Sequence, residues 1–345
     1  MMLITILCRE KYPRIRVLPY SLNSCISEED RCQYHLEPKR YLHMTAHYPY
    51  IWENGSVMEW EKGTTHAMNP SLHYGIAAFE GIRFYDTEIC PAIFRLHDHL
   101  MRFFYSMNAL GMSHAYSYAQ LGSAIIDLIK RNNTTEGYIR PIAWFSDEKI
   151  GLHNAGGAVS VQIALFEWEK SDKDSMSIEL SPFQRIHPKT TDIEAKISGH
   201  YINTHLALKH ATSNGFDDAV LTDDKGYIAE ASAANLFCRR GNALYTPRRG
   251  AILNGITRQT VIELARNGAH RVEEINLLPH MLGTSAEIFL CGTAYEIMPV
   301  GRINDMIIGT QLPGPFTRWI QEQYRKAVHG ELPEHKDWLT YVNRP

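Results

Sequence analysis

The stretch Glu194-Ala195-Lys196-Ile197-Ser198-Gly199-His200-Tyr201 decides how the chain is read. A lysine stands there among small residues. The run 201–214 carries apolar Ile202, Leu206 and Ala207 in a helix-like pattern and stops at Asn214-Gly215. Lys196 is therefore expected at the end of an element just before a helix, where the backbone can fix its amine. An amine held that way can approach a flat carbonyl compound and form a Schiff base with it. A lysine by itself is most often a solvated surface charge, so the reading depends on the company it keeps.

That company lies downstream. Glu230 is expected at a strand end, followed by the small run Ala231-Ser232-Ala233-Ala234. A carboxylate there can pair with a protonated pyridine nitrogen and make the ring a better electron sink. Asn254-Gly255-Ile256-Thr257 opens a helix, where free amides and the helix dipole favour phosphate. Gly292-Thr293-Ala294 follows a strand and offers a second turn of amides. A lysine amine, a carboxylate and two anion-binding turns are what pyridoxal phosphate needs. Each alone has a plainer reading, as a solvated charge or an ordinary turn.

Upstream of the lysine, residues 50–57 read as two strands about an Asn54-Gly55 turn. Gly75 and Gly81 bracket a short apolar piece leading into a strand. Residues 92–96 read as a strand. Residues 97–110 read as a helix with Leu100, Phe103, Phe104, Met107 and Leu110 on one face and Arg102 off that spine. A second amphipathic helix is expected over 118–132. Strands are expected over 138–145 and 159–168. Residues 169–175 then turn polar and charged, as a linker would. In the second half, a strand at 176–181 is followed by hairpins 219–222 with 227–229 and 235–238 with 243–245. A helix to Asn267-Gly268 and a strand at 286–291 complete this reading.

Composition excludes several classes. The 345 residues are 44% hydrophobic and 21% charged with net charge −3, so there is no basic field for nucleic acid. The length suits two domains. The 17 histidines lack zinc spacing, and no metal is expected. The six cysteines form no CxxC, which reads as free thiols in a cytoplasmic protein. No run approaches the ~18 apolar residues of a membrane span. Arg9 after the apolar start gives the wrong charge order for a secretory signal, and Glu10, Glu28, Glu29, Asp30 and Glu37 oppose a transit peptide. Residues 1–45 are expected to be an extension, either disordered or a start assigned too early.

Taken together, the motifs resemble fold-type IV pyridoxal-phosphate enzymes, and most of all bacterial branched-chain amino acid aminotransferases. The matching residues are His73-Tyr74-Gly75, Phe79-Glu80-Gly81-Ile82-Arg83, Phe94-Arg95 with Arg102, Tyr138-Ile139-Arg140-Pro141, Ala195-Lys196 with Gly199 and Tyr201, and Gly226-Tyr227-Ile228 with Glu230. Asn235-Leu236-Phe237, Gly255-Ile256-Thr257-Arg258 and Gly292-Thr293-Ala294 with Glu296 and Pro299-Val300 continue the series. The resemblance implies an α+β fold of two domains, a small α/β sandwich at 46–170 and an α/β pseudo-barrel at 181–345. Residues 171–180 would link them, with the cofactor at the interface.

It also implies roles. Lys196 would bind the cofactor covalently and shuttle the proton. Tyr201 would hydrogen-bond the ring hydroxyl and Glu230 the pyridine nitrogen. Arg102, Ile256, Thr257 and Thr293 would hold the phosphate. Thr293, Ala294 and Tyr138 would receive the substrate carboxylate. Arg140 would hold Tyr138 and accept the second carboxylate of glutamate. Phe79, Tyr74, Trp168, Tyr201 and Leu152 would line the side-chain pocket, with Tyr74 and Leu152 from the neighbouring subunit of a homodimer or higher oligomer. The substrates would be branched-chain L-amino acids, their 2-oxo acids and 2-oxoglutarate or glutamate, with no nucleic acid or membrane partner.

Other readings stay open: a D-amino acid aminotransferase or aminodeoxychorismate lyase of the same fold type, or a non-catalytic regulatory relative that binds the cofactor. His200, Asn254, Tyr295 and Ser171 depart from the family pattern and bear on pocket shape.

Overall fold

The computed structural model describes residues 44–113, 115–147, 151–152, 157–169 and 172–343. Residues 1–43 of the expected extension, and Ser171, lie outside them.

The chain begins with β1 (Met44–His47), β2 (Tyr50–Glu53) and β3 (Ser56–Glu59). β2 and β3 form a hairpin because Asn54 (φ 47°) and Gly55 (φ 95°) take the left-handed conformation that a two-residue turn requires. Helix α1 (Pro70–Tyr74) is short, its start capped by the Asn69 side chain. Next come β4 (Ala77–Phe79), β5 (Ile82–Tyr85) and β6 (Ala92–Phe94). Helix α2 (Leu96–Ala109) buries Leu96, Leu100, Phe103 and Met107 along one stripe. Helix α3 (Tyr118–Asn132) starts at a capping box between Ser117 and Gln120 and ends at left-handed Asn133. β7 (Gly137–Phe145) and β8 (Val159–Trp168) pair antiparallel along their length.

After the polar segment the chain forms β9 (Met176–Gln184), α4 (Tyr201–Ser213), β10 (Asp218–Thr222) and β11 (Ile228–Ala231). β12 (Asn235–Arg240), β13 (Ala243–Pro247), α5 (Ile256–Asn267) and β14 (Arg271–Ile275) follow. The rest is α6 (Pro279–Gly283), β15 (Glu287–Gly292), β16 (Glu296–Ile303), β17 (Met306–Ile307), α7 (Pro315–Val328) and β18 (Leu339–Tyr341).

Among the described residues there are two nine-stranded sheets. The first runs β18-β6-β5-β7-β8-β2-β3, with β1 and β4 attached to β8 and β7. The second runs β11-β10-β9-β16-β15-β12-β13-β14, with β17 on β16. Its β9–β10 and β13–β14 pairs are parallel, and helices α4 and α5 make the crossovers such pairs demand. β11 returns towards β12 through the Ala231 N–H, which donates to the Ala234 carbonyl at 2.8 Å, so the sheet curls into a half-barrel.

One apolar core lies between the first sheet and helices α2 and α3. Another fills the curl of the second sheet. A third joins the halves, packing Tyr85 and Phe94 against Phe289, Ile320 and Tyr324. Each large side chain buried there contributes about 1.5–3 kcal/mol. The chain's last strand, β18, crosses back to pair with β6 of the first sheet, which the sequence reading does not anticipate. Among the described residues no helix is long and apolar enough to cross a membrane.

Candidate active site

The first half of the chain holds the lysine by its backbone. The Phe79 N–H donates to the Lys196 carbonyl at 3.1 Å, and Ala78 forms an antiparallel bridge with Ile197. The Lys196 N–H donates to Ser106 Oγ on α2 at 2.8 Å, and that hydroxyl donates to the Arg102 carbonyl at 2.8 Å. The Gly199 N–H donates to the Gly75 carbonyl at 2.9 Å. A Cβ on Gly75 would lie 3.0 Å from the Gly199 Cα, so this approach needs glycine. With its backbone fixed, Lys196 sends its side chain into a cavity of about 610 Å³. There Nζ donates to the Tyr201 hydroxyl at 2.5 Å and lies 4.7 Å from the centre of the Phe79 ring.

One end of the cavity carries Glu230, on β11. Its Oε1 accepts from Arg185 Nε at 2.7 Å. Its Oε2 accepts from Asn235 Nδ2 at 3.2 Å and from the Leu253 N–H at 3.1 Å. Burial pushes the Glu230 carboxyl above its ordinary range, with Arg185 opposing that shift.

Another end is built for an anion. Arg102 projects from α2 with Nε 2.6 Å from Glu80 Oε1 and Nη2 2.9 Å from Glu80 Oε2. Its remaining nitrogen, Nη1, is buried without a partner in the protein. Ile256 and Thr257 open α5 beside it, where the first amides of a helix lack intrahelical acceptors. Thr293 and Ala294 line the same cavity from the turn after β15.

The remaining wall is aromatic. Tyr138 stacks on Trp168 with ring centres 5.0 Å apart. Arg140 Nη2 donates to the Tyr138 hydroxyl at 3.0 Å, and its guanidinium lies 4.9 Å from the centre of the Phe79 ring. Gly81 makes room for Tyr138, since a Cβ there would fall 1.8 Å from the tyrosine hydroxyl.

Every site residue expected from the sequence lines this cavity except Tyr74 and Leu152. Those two are 40% and 66% exposed. Of the departures from the family pattern, His200 is buried, with Nε2 2.8 Å from Thr191 Oγ1. Burial, reinforced by the Arg185 charge, pushes its pKa down to about 4. Asn254 Oδ1 accepts from Arg258 Nη1 at 3.2 Å. The Tyr295 hydroxyl donates to the buried Asp218 carboxylate at 3.3 Å.

Two charged residues escape sequence reasoning. Glu80 is quoted in a motif without a role, although it is fully buried against Arg102. Arg185 stands 45 residues before its partner Glu230. No local pattern separates it from the other 34 of the chain's 35 lysines and arginines.

Comparison with known proteins decides the family. Residues 77–303 match the family described as amino-transferase class IV. The chain belongs to that family. Among its class IV relatives is the branched-chain-amino-acid aminotransferase of Pseudomonas aeruginosa, 36% identical over 297 residues, which cover 85% of this chain and 97% of the relative. The Escherichia coli enzyme of that name is 34% identical over 302 residues, covering 86% and 98%. The T.th. branched-chain amino acid aminotransferase, solved with pyridoxamine 5'-phosphate, superposes with a TM-score of 0.83 at 36% identity, covering 86% of this chain and 99% of that one. The T.th. protein has also been solved with N-(5'-phosphopyridoxyl)-L-glutamate and with 4-methylvaleric acid. Class IV membership fits the fold: a fold-type IV α+β architecture with the cavity between the two sheets.

Proposed function

We propose that the protein is a pyridoxal-phosphate-dependent aminotransferase that exchanges the amino group between branched-chain L-amino acids and 2-oxoglutarate. The observation that carries this is the convergence of a backbone-fixed lysine amine, a buried carboxylate and an unpartnered guanidinium nitrogen in one cavity. This donor set fits pyridoxal phosphate. When bound, the cofactor supplies a carbonyl for Lys196 and an electron sink for charge developing at the substrate's Cα.

The chain's own residues do the rest. Lys196 anchors the cofactor and moves the proton at the substrate's Cα. Its hydrogen-bond partner Tyr201 holds the amine in place and would meet the cofactor's ring hydroxyl. Glu230 would meet the ring nitrogen, and its bond to Arg185 favours the carboxylate against the burial that raises its pKa. Arg102, the amides of Ile256 and Thr257, and Thr293 would hold the phosphate. Tyr138 and the Thr293-Ala294 turn receive the substrate carboxylate.

Phe79, Trp168 and Tyr201 suit a leucine-like side chain. Arg140 sits beside them with Nε buried and unpartnered, a counter-charge for the second carboxylate of glutamate. The two ligands of the T.th. protein, a glutamate adduct and a branched acid, are a pair of the same kind. Exposed Tyr74 and Leu152 complete the pocket of a neighbouring copy, so the active unit is at least a homodimer. The enzyme works in the cytoplasm, in keeping with free thiols at Cys90, Cys238 and Cys291. The proposed domains are 46–170 and 181–345, with the joining stretch 171–180 running into strand β9 of the second sheet.

The test is amino transfer to 2-oxoglutarate by the holoenzyme. L-leucine, L-isoleucine and L-valine should serve as donors. Transfer from D-alanine alone, or cleavage of aminodeoxychorismate, would move the protein to another activity of the fold type. Light scattering should give at least twice the 39.5 kDa chain mass.

A further inference from the structure

Glu80 is the most deeply buried charge at the site and contacts none of the space a substrate would occupy. Both its oxygens are engaged. Arg102 takes them as a fork, His99 Nδ1 donates to Oε2 at 2.8 Å, and the Gly81 N–H donates to Oε2 at 3.1 Å. Burial raises the cost of its charge, yet Arg102 and His99 outweigh it and hold the carboxyl below its usual range. The Glu80 backbone is fixed as well, its N–H donating to the Pro141 carbonyl at 2.9 Å.

This fork has a geometric result. A guanidinium offers donors along three edges, and Glu80 occupies the Nε/Nη2 edge. The Nη1 corner is left buried and unpartnered, on a side chain that lines the main cavity. Arg102 also borders a second cavity, of about 260 Å³, on which the carboxylates of Asp98 and Glu194 stand. Those carboxylates already pair with Arg95 and Arg249. A guanidinium freed from Glu80 would still find them an alternative to the main cavity.

We propose that Glu80 is a positioning residue, which holds Arg102 in the one orientation that presents Nη1 to the phosphate end of the main cavity. This rests on the reading of that cavity as the pyridoxal phosphate site. Glu80 does not touch the phosphate. It sets the direction of the group that does, and it draws Arg102 away from Asp98 and Glu194.

The experiment compares pyridoxal phosphate with pyridoxal, which lacks the phosphate, in absorbance titrations of apoenzyme. Inorganic phosphate is used in parallel to raise the melting temperature. Glu80→Gln should lose affinity for pyridoxal phosphate by roughly tenfold or more, keep its affinity for pyridoxal, and lose the protection by inorganic phosphate. An equal loss for both aldehydes, or no loss for either, overturns the proposal. If the unsubstituted protein itself fails to bind pyridoxal phosphate, the cofactor assignment fails instead. Arg102→Met and the double variant Glu80→Gln/Arg102→Met keep the test alive if Glu80→Gln does not fold. The double variant should bind pyridoxal phosphate as Arg102→Met does and melt above it, because no lone buried carboxylate remains. A further loss of phosphate affinity in the double variant means that Glu80 acts independently of Arg102.

Discussion

The Phe79 N–H and the Lys196 carbonyl meet at 3.1 Å, so the strand that carries the pocket's aromatic wall also carries the backbone of the reactive lysine. The ring of Phe79 completes the link, 5.1 Å from Tyr201 and under the lysine amine. Substrate wall and reactive amine are therefore parts of one rigid piece, and each substitution below is read against that coupling.

Lys196→Ala should abolish transamination while leaving the fold intact, because its backbone hydrogen bonds to Phe79 and Ser106 survive. Borohydride reduction after mixing with pyridoxal phosphate should add cofactor mass to the native chain and none to the variant. Labelling of the variant at the same stoichiometry would mean that another lysine holds the cofactor.

Arg140→Met should separate the two half-reactions. The guanidinium holds Tyr138 and has its Nε buried with no partner, so it is a cation available to a glutamate side chain beside the aromatic wall. The glutamate half-reaction should weaken by ~2–4 kcal/mol, the scale for losing a buried charge partner. The leucine half-reaction should lose less, through Tyr138 alone. Single-turnover rates with each amino acid decide it, and equal losses would assign Arg140 a purely structural role.

Gly81→Ala should leave a folded protein with a damaged pocket. The added methyl would fall 1.8 Å from the Tyr138 hydroxyl, which must shift and take its stacking on Trp168 with it. A displacement of that size costs on the order of a hundredfold in kcat/KM for leucine. Near-native activity would mean that Tyr138 relaxes without consequence.

Acid stability should respond to Asp218. Its carboxyl is fully buried, and burial raises its pKa to about 6. The folded state then binds a proton more tightly than the unfolded chain, whose aspartates titrate near 3.9. This contribution is fully present below about pH 4 and is lost as pH rises through 6, so it slopes stability downward with pH in that window. Asp218→Asn should remove that slope, on the order of 3 kcal/mol across the window. Urea denaturation at pH 4, 5, 6 and 7 checks it, and parallel curves for both proteins would refute the burial argument.

Much of this architecture could be read from short-range pattern. The α2 stripe and the Val159–Trp168 strand follow from side-chain periodicity, and the Asn54-Gly55 turn from residues suited to positive φ. Helix α7 also carries a legible signal that the sequence reading passes over, with Pro315 at its start and Phe316, Ile320, Tyr324 and Ala327 on one face. The unread parts of the site are of another kind. Glu80 with Arg102 is a pair 22 residues apart, and Arg185 with Glu230 a pair 45 residues apart. Such pairs exist only once the sheets have formed, because burial is what makes each charge need the other. Exposed Tyr74 and Leu152 have their proposed role from family resemblance alone.

The meeting of Gly75 with Gly199 has a consequence for the assembly. Gly75 ends the helix that exposes Tyr74, and Gly199 lies three residues after Lys196. Their hydrogen bond leaves no slack for a methyl group on either side. In the proposed dimer Tyr74 belongs to the neighbour's pocket, so a protomer's own lysine and the wall it lends to its partner are riveted one residue from that tyrosine. A ligand that shifts Lys196 in one copy would then press on the specificity of the other, giving the two pockets a mechanical route to sense each other's occupancy.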